Sequence, residues 1–179
     1  MSQVSNLKSP SITNLDATPY VQNTTGVGAQ GFVRSVNDYA TPLAADSVAS
    51  TYRILRVRSN VKLKNLLIEY QAEGAGAIEV GLYYSDSTID GTSPANQGVV
   101  INASLFATEF SIASAVTQED LLTMAGTAAW TSTLANEQLW QAAGLSSDPG
   151  GCFDIVCTVN TSAITTGTGQ IKLEAQFVI

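Results

Sequence analysis

The chain has 179 residues, of which 45% are hydrophobic and only 13% charged, with eight lysines and arginines, fifteen acids and no histidine. A net charge of −7 argues against nucleic acid as the main partner. The lack of histidine excludes Ser/His/Asp and Cys/His triads and removes the commonest metal ligand. A chain of this length buries about 70% of its unfolded surface in one domain, so neither a disulfide nor a metal is needed to hold it.

Residues 1–30 lack sustained periodicity and are rich in Ser, Thr, Asn, Gln and Gly. Apolar residues are scattered through them (Val4, Leu7, Ile12, Leu15, Tyr20), more than a purely solvating tail carries. This pattern reads as an extended arm ordered by contact with a neighbour, the other reading being a disordered terminus, and it precedes a domain over 31–179. Gly26-Val-Gly-Ala-Gln-Gly31 has the GxGxxG form, but no strand precedes it and no helix follows, so no dinucleotide site is expected. No basic segment followed by an apolar stretch opens the chain, and its apolar runs are too short to span a bilayer; neither a signal peptide nor a membrane partner is expected.

A first strand is predicted over Phe32–Val36, with Asp38–Ala49, which contains Pro42, as a connection or edge strand. Thr51–Arg58, Val61–Ala72 and Ile78–Tyr84 then read as three consecutive strands. In the second, the apolar positions move from odd (Val61, Leu63) to even (Leu66, Ile68, Tyr70), which places a bulge near Asn65. Ser85–Pro94 is a polar hairpin loop; Asp86 and Asp90 lack the spacing of a calcium loop. Val99–Phe106 and Phe110–Val116 are predicted as separate strands. A helix is expected from Thr117, with Glu119 and Asp120 in its first turn, to Gly126. A second is expected between Trp130 and Leu145, with Thr133 as N-cap and Gly144 closing it. Phe153–Val159 and Ile171–Ile179 alternate as final strands. The sum is an all-β, jelly-roll-like two-sheet β-sandwich with a short helical insertion at about 117–144.

Cys152 and Cys157 fall in one strand on opposite faces, about 16 Å apart at ~3.3 Å per residue, so two free thiols are expected. Five of the eight positive charges (Arg53, Arg56, Arg58, Lys62, Lys64) lie within twelve residues. They read either as a solvated sheet face or as a basic patch docking on an acidic protein surface. Among the fifteen acids no pair is marked out for two-carboxylate chemistry, so neither catalysis nor a cofactor is expected. The alternative to a structural role is a carbohydrate-binding sandwich using Tyr83, Tyr84 and Trp130 as a stacking platform.

Tyr52-Arg-Ile-Leu-Arg-Val57, Ser59-Asn60, Val80-Gly-Leu-Tyr83, Ala103-Ser-Leu-Phe-Ala107 and Leu139-Trp-Gln-Ala-Ala-Gly-Leu-Ser146 with Asp148-Pro149 carry a further signal in their order and spacing. Over residues 50–179 this set resembles the head decoration (cement) proteins of tailed bacteriophages; the polar first 30 residues and the Ser85–Pro94 loop depart from it. The resemblance implies a jelly roll, made in the host bacterial cytoplasm, that binds the outside of the virion shell. It implies as partners the major capsid protein and copies of the chain itself, as a homodimer or homotrimer.

Overall fold

The computed structural model describes residues 17–19, 32–123, 133–167 and 169–179. The arm residues Val4, Leu7, Ile12, Leu15 and Tyr20 lie outside the described residues. Eight strands are present among the described residues: β1 (Arg34–Ala40), β2 (Thr51–Arg58), β3 (Lys62–Tyr70), β4 (Ala77–Tyr84), β5 (Val100–Ser111), β6 (Val116–Asp120), β7 (Cys152–Asn160) and β8 (Ile171–Val178). They form two four-stranded sheets in the orders β1-β8-β3-β6 and β2-β7-β4-β5. All pairs are antiparallel, and first pairs with eighth, second with seventh, third with sixth and fourth with fifth. That wiring is a long hairpin wrapped into two sheets, the jelly roll.

Alternation in the sequence maps onto the layer between the sheets. Ile78, Val80 and Leu82 of β4, and Ile171, Leu173 and Ala175 of β8, are fully buried. Each large aliphatic side chain so buried contributes about 1.5–3 kcal/mol relative to exposure. Val61, just before β3, and Leu63 point inward, then Leu66, Ile68 and Tyr70, and the register slips between Leu63 and Asn65. The expected bulge is there, and it keeps both parities in the core. Cys152 and Cys157 are both free thiols; Cys157 lies in the core, where burial pushes its pKa up to about 12.

Four expectations are corrected. Residues Val116–Asp120 form a strand, not the start of a helix: Ile68 and Tyr70 pair with Glu119 and Val116. The backbone of β3 needs partners along this side, and that demand outweighs the local N-cap signal at Thr117. The Asp120 carboxylate instead accepts from the amides of Leu66 (3.3 Å) and Leu122 (3.0 Å).

The second predicted helix is broken in two. A 3-10 turn covers Leu134–Asn136, Glu137 is extended (φ −85°, ψ 156°), and helix α1 covers Leu139–Ala142. The break frees the first amides of α1 to bind the β2–β3 corner: Leu139 N donates to Val61 O (2.8 Å) and Trp140 N to Ser59 O (3.1 Å). Gln138 caps the helix reciprocally with Gln141, so Thr133, itself in helical conformation, has no capping role. Gly144 does close the helix, at φ +79°, with Leu145 N donating to Trp140 O (3.1 Å).

Third, the two strands expected over Val99–Val116 are one bent strand, β5, which ends at Ser111. Val80 stands opposite Ala107 and Leu82 opposite Asn102, so residues 103–106 arch across Gly81 alone. A β-carbon on Gly81 would lie 2.2 Å from the Ala103 carbonyl oxygen, which is why only glycine fits there. At the other end of the chain order, β1 runs on to Ala40 rather than ending at Val36.

Candidate functional site

Register determines what the arginines of β2 can reach. Arg53 stands opposite Val156 and Leu55 opposite Ile155, which leaves Ile54 as an extra residue. This bulge turns Arg53 and Arg56 to the same outer face although they are three residues apart. Both meet Asp154 of β7, which points away from the core yet is only 2% exposed. Arg56 grips it with Nε to Oδ1 (2.6 Å) and Nη2 to Oδ2 (2.9 Å), and Arg53 Nη1 donates to Oδ2 (2.9 Å).

The β4–β5 loop closes over the pair. Arg56 Nη2 donates to Asp86 Oδ1 (2.5 Å), and its Nη1 lies 3.5 Å from Asp90 Oδ2. Arg53 also donates to the carbonyls of Tyr84 (3.2 Å) and Gly98 (3.1 Å), with its guanidinium 5.5 Å from the centre of the Tyr83 ring. The hydrogen bond from Arg56 is the main reason that the Asp86 carboxyl sits below its ordinary 3.8. At Asp90 burial pushes upward, but hydrogen bonds from Ser85 and Thr92 outweigh it and the net direction is down. The Asp154 carboxylate in turn raises the Arg56 pKa further above its already high value.

The five clustered cations therefore do not form one patch. Arg53 and Arg56 are two positive charges among three carboxylates. Arg58 is exposed at the end of the same strand. Lys62 and Lys64 lie beyond the Ser59-Asn60 corner in the other sheet. Lys64 Nζ donates to Ala135 O (2.7 Å) and Asn136 Oδ1 (3.3 Å), fastening the 3-10 turn, and burial, followed by the nearby Lys62, lowers its pKa. Asp154 was not singled out by sequence; the signal was an acid inside the apolar run Phe153–Val156, with arginines at a comparable place in another strand.

The tyrosines considered for sugar stacking are engaged within the fold. Tyr83 lies beneath Arg53 and shares a 3.1 Å hydrogen bond with Thr158; Tyr84 packs edge-on against Phe153 with ring centres 5.6 Å apart. Trp130 lies outside the described residues. Trp140 packs against the core, and its indole donates to Gln138 Oε1 (2.7 Å). Among the described residues no group of three or more Cys, Asp or Glu is placed to hold a metal ion. No helix among them is long and apolar enough to cross a membrane.

Adhesive character lies elsewhere. Of nine large exposed hydrophobic residues among those described, five fall between Phe32 and Val48, including Phe32 at 93%, Val33 at 61% and Tyr39 at 55% exposure. They sit in and around β1, an edge strand of the β1-β8-β3-β6 sheet. Sequence reading placed an edge here because of Pro42 but did not single out these side chains.

No family model matches the chain, and no curated protein matches it significantly in sequence. Among solved structures it is similar to a chain of the cyanophage Pam1 capsid asymmetric unit, with a TM-score of 0.51 and 9% identity. The likeness covers 92% of this chain and 96% of that one. At that identity the relation is one of fold: a phage capsid assembly contains a chain built on the same plan.

Proposed function

We propose that this chain is a non-enzymatic virion protein of a tailed phage, a capsid decoration or cement protein that binds the outer surface of the head and bridges neighbouring capsomers. The observation that carries this reading is the end-to-end likeness to a chain of a phage capsid asymmetric unit. The low charge of the chain and the five exposed apolar side chains between Phe32 and Val48 support it, since both suit a surface that lies against other protein. Its partners are the major capsid protein and copies of itself. Residues 1–30 serve as an assembly arm: 30 extended residues reach on the order of 100 Å, far enough to cross onto an adjacent subunit. Of the clustered cations, Arg58, exposed at the end of β2, is the better candidate for contact with acidic capsid surface, because Arg53 and Arg56 already hold Asp154.

The test is co-sedimentation of the purified chain with empty heads assembled from the accompanying major capsid protein. Saturable binding at a fixed ratio to capsomers, with a raised head-disruption temperature, is the expected result. Deleting residues 1–30 should weaken retention on heads while the remaining domain still folds. Absence of head binding, with saturable binding to an oligosaccharide, would replace this reading with the carbohydrate one.

A further inference from the structure

Among the described residues, four strands form the sheet edges: β1 and β6 in one sheet, β2 and β5 in the other. An edge is a template for pairing with another chain unless it is short, bulged or guarded. Three are handled in this way. The register of β2 slips at Ile54, that of β5 slips three times along β4, and β6 has only five residues with a slip of its own. β1 is different: its seven residues run against β8 without any slip, and none is proline or lysine.

The sequence of β1 is also complementary to itself. Val36 faces inward opposite the buried Ala175, so Arg34 and Asp38 share that face and Ser35, Asn37 and Tyr39 lie on the other. Arg34 and Asp38 are exposed, and neither has an ion-pair partner among the described residues. In an antiparallel pair of two β1 strands with a two-fold axis at Val36, each Arg34 stands opposite the Asp38 of the other copy. The same register sets Val33 opposite Tyr39, which matches two of the exposed apolar side chains. An axis at Arg34 or at Asp38 would oppose like charges, and one at Ser35 or Asn37 would leave both charges opposite uncharged or apolar residues. Opposite charges and apolar pairs facing each other across strands stabilise a sheet, and like charges destabilise it.

We propose that β1 is a homophilic edge: two copies of this chain pair antiparallel through it about a dyad at Val36, making one continuous eight-stranded sheet. The pairing names a surface for the self-association proposed above but does not depend on capsid attachment.

Sedimentation velocity of the full chain over about 1–100 µM tests it. The unmodified chain dimerises. Arg34→Asp, or Asp38→Arg, weakens association at least about tenfold, since either change sets like charges together at two symmetric places. An equimolar mixture of the two single variants regains a dimer, because each then supplies the charge the other lacks. The double variant Arg34→Asp with Asp38→Arg regains a homodimer for the same reason. A monomer throughout, a trimer, a dimer indifferent to the single reversals, or a mixture that stays monomeric would overturn the pairing. A monomer that still bound heads would leave the capsid reading in place.

Discussion

On the outer face of the β2-β7-β4-β5 sheet, a carboxylate with almost no exposure holds two guanidiniums, and a loop supplies two further acids. The described residues of the β1-β8-β3-β6 sheet show no carboxylate buried in this way beneath two guanidiniums, and their polar cross-strand contacts are more open. Glu69 lies 3.5 Å from Lys172 and Ser35 donates to Glu174 at 2.9 Å, both at the surface, while Asn65 donates to Gln176 at 3.3 Å in a half-buried pair. The comparison teaches where the few charges of this chain have structural weight. A buried, multiply bonded carboxylate has no water to fall back on, whereas an exposed pair gains little over its hydrated parts.

The sharpest way to break this asymmetry is Arg56→Glu. It removes three of the donors around Asp154 and Asp86 and adds a fourth carboxylate, and should cost about 3–5 kcal/mol, the range for breaking a buried pair. The thermal midpoint should fall by roughly 10 °C or more. A midpoint within two degrees of the unmodified chain would show that the network bears no load. Gly81→Ala comes next. It drives a methyl group into the Ala103 carbonyl behind the same face, and overpacking of this kind costs about 1–3 kcal/mol. Denaturant unfolding would read it directly.

Acid sharpens the comparison further. The folded-state pKa of Asp86 is depressed, so its contribution is fully present above its ordinary 3.8 and fades as pH falls through the folded value. The stability difference between the unmodified chain and Asp86→Asn should therefore be flat near neutrality and shrink only below about pH 4. A difference that grew on acidification would assign the pairing wrongly. On the opposite sheet, Lys172→Ala should change stability by less than about 0.5 kcal/mol, which makes it the control for the other three.

Much of the sandwich was legible because its code is local. Period-two alternation gave β3, β4, β7 and β8, and a change of parity between Leu63 and Leu66 gave a bulge. What was hidden depends on partners distant in sequence. Val116–Asp120 carries good helix-start residues and is a strand only because β3 lies beside it. The break at Glu137 exists because α1 binds the β2–β3 corner. The arginines read as a solvated face or a basic patch because Asp154, about a hundred positions away, cannot be seen as a neighbour until β7 is placed against β2.

The order of the sheets has a kinetic consequence. β8 lies between β1 and β3, and β7 lies between β2 and β4. Neither sheet can close while the chain emerges in order, because each lacks an inner strand until residues 152–178 are available. Of the strand pairs, β4–β5 and β3–β6 need only nearby partners, whereas Arg34 meets Phe177. Such non-local pairing makes folding slow, in the range of milliseconds to seconds for β-rich domains. During synthesis β1 and β2 wait with unpaired edges, and the nascent chain meets its neighbours on a crowded polysome in that state. The low charge that suits the finished surface offers little repulsion then, so the yield of folded protein should depend on temperature and expression rate more than its final stability would suggest.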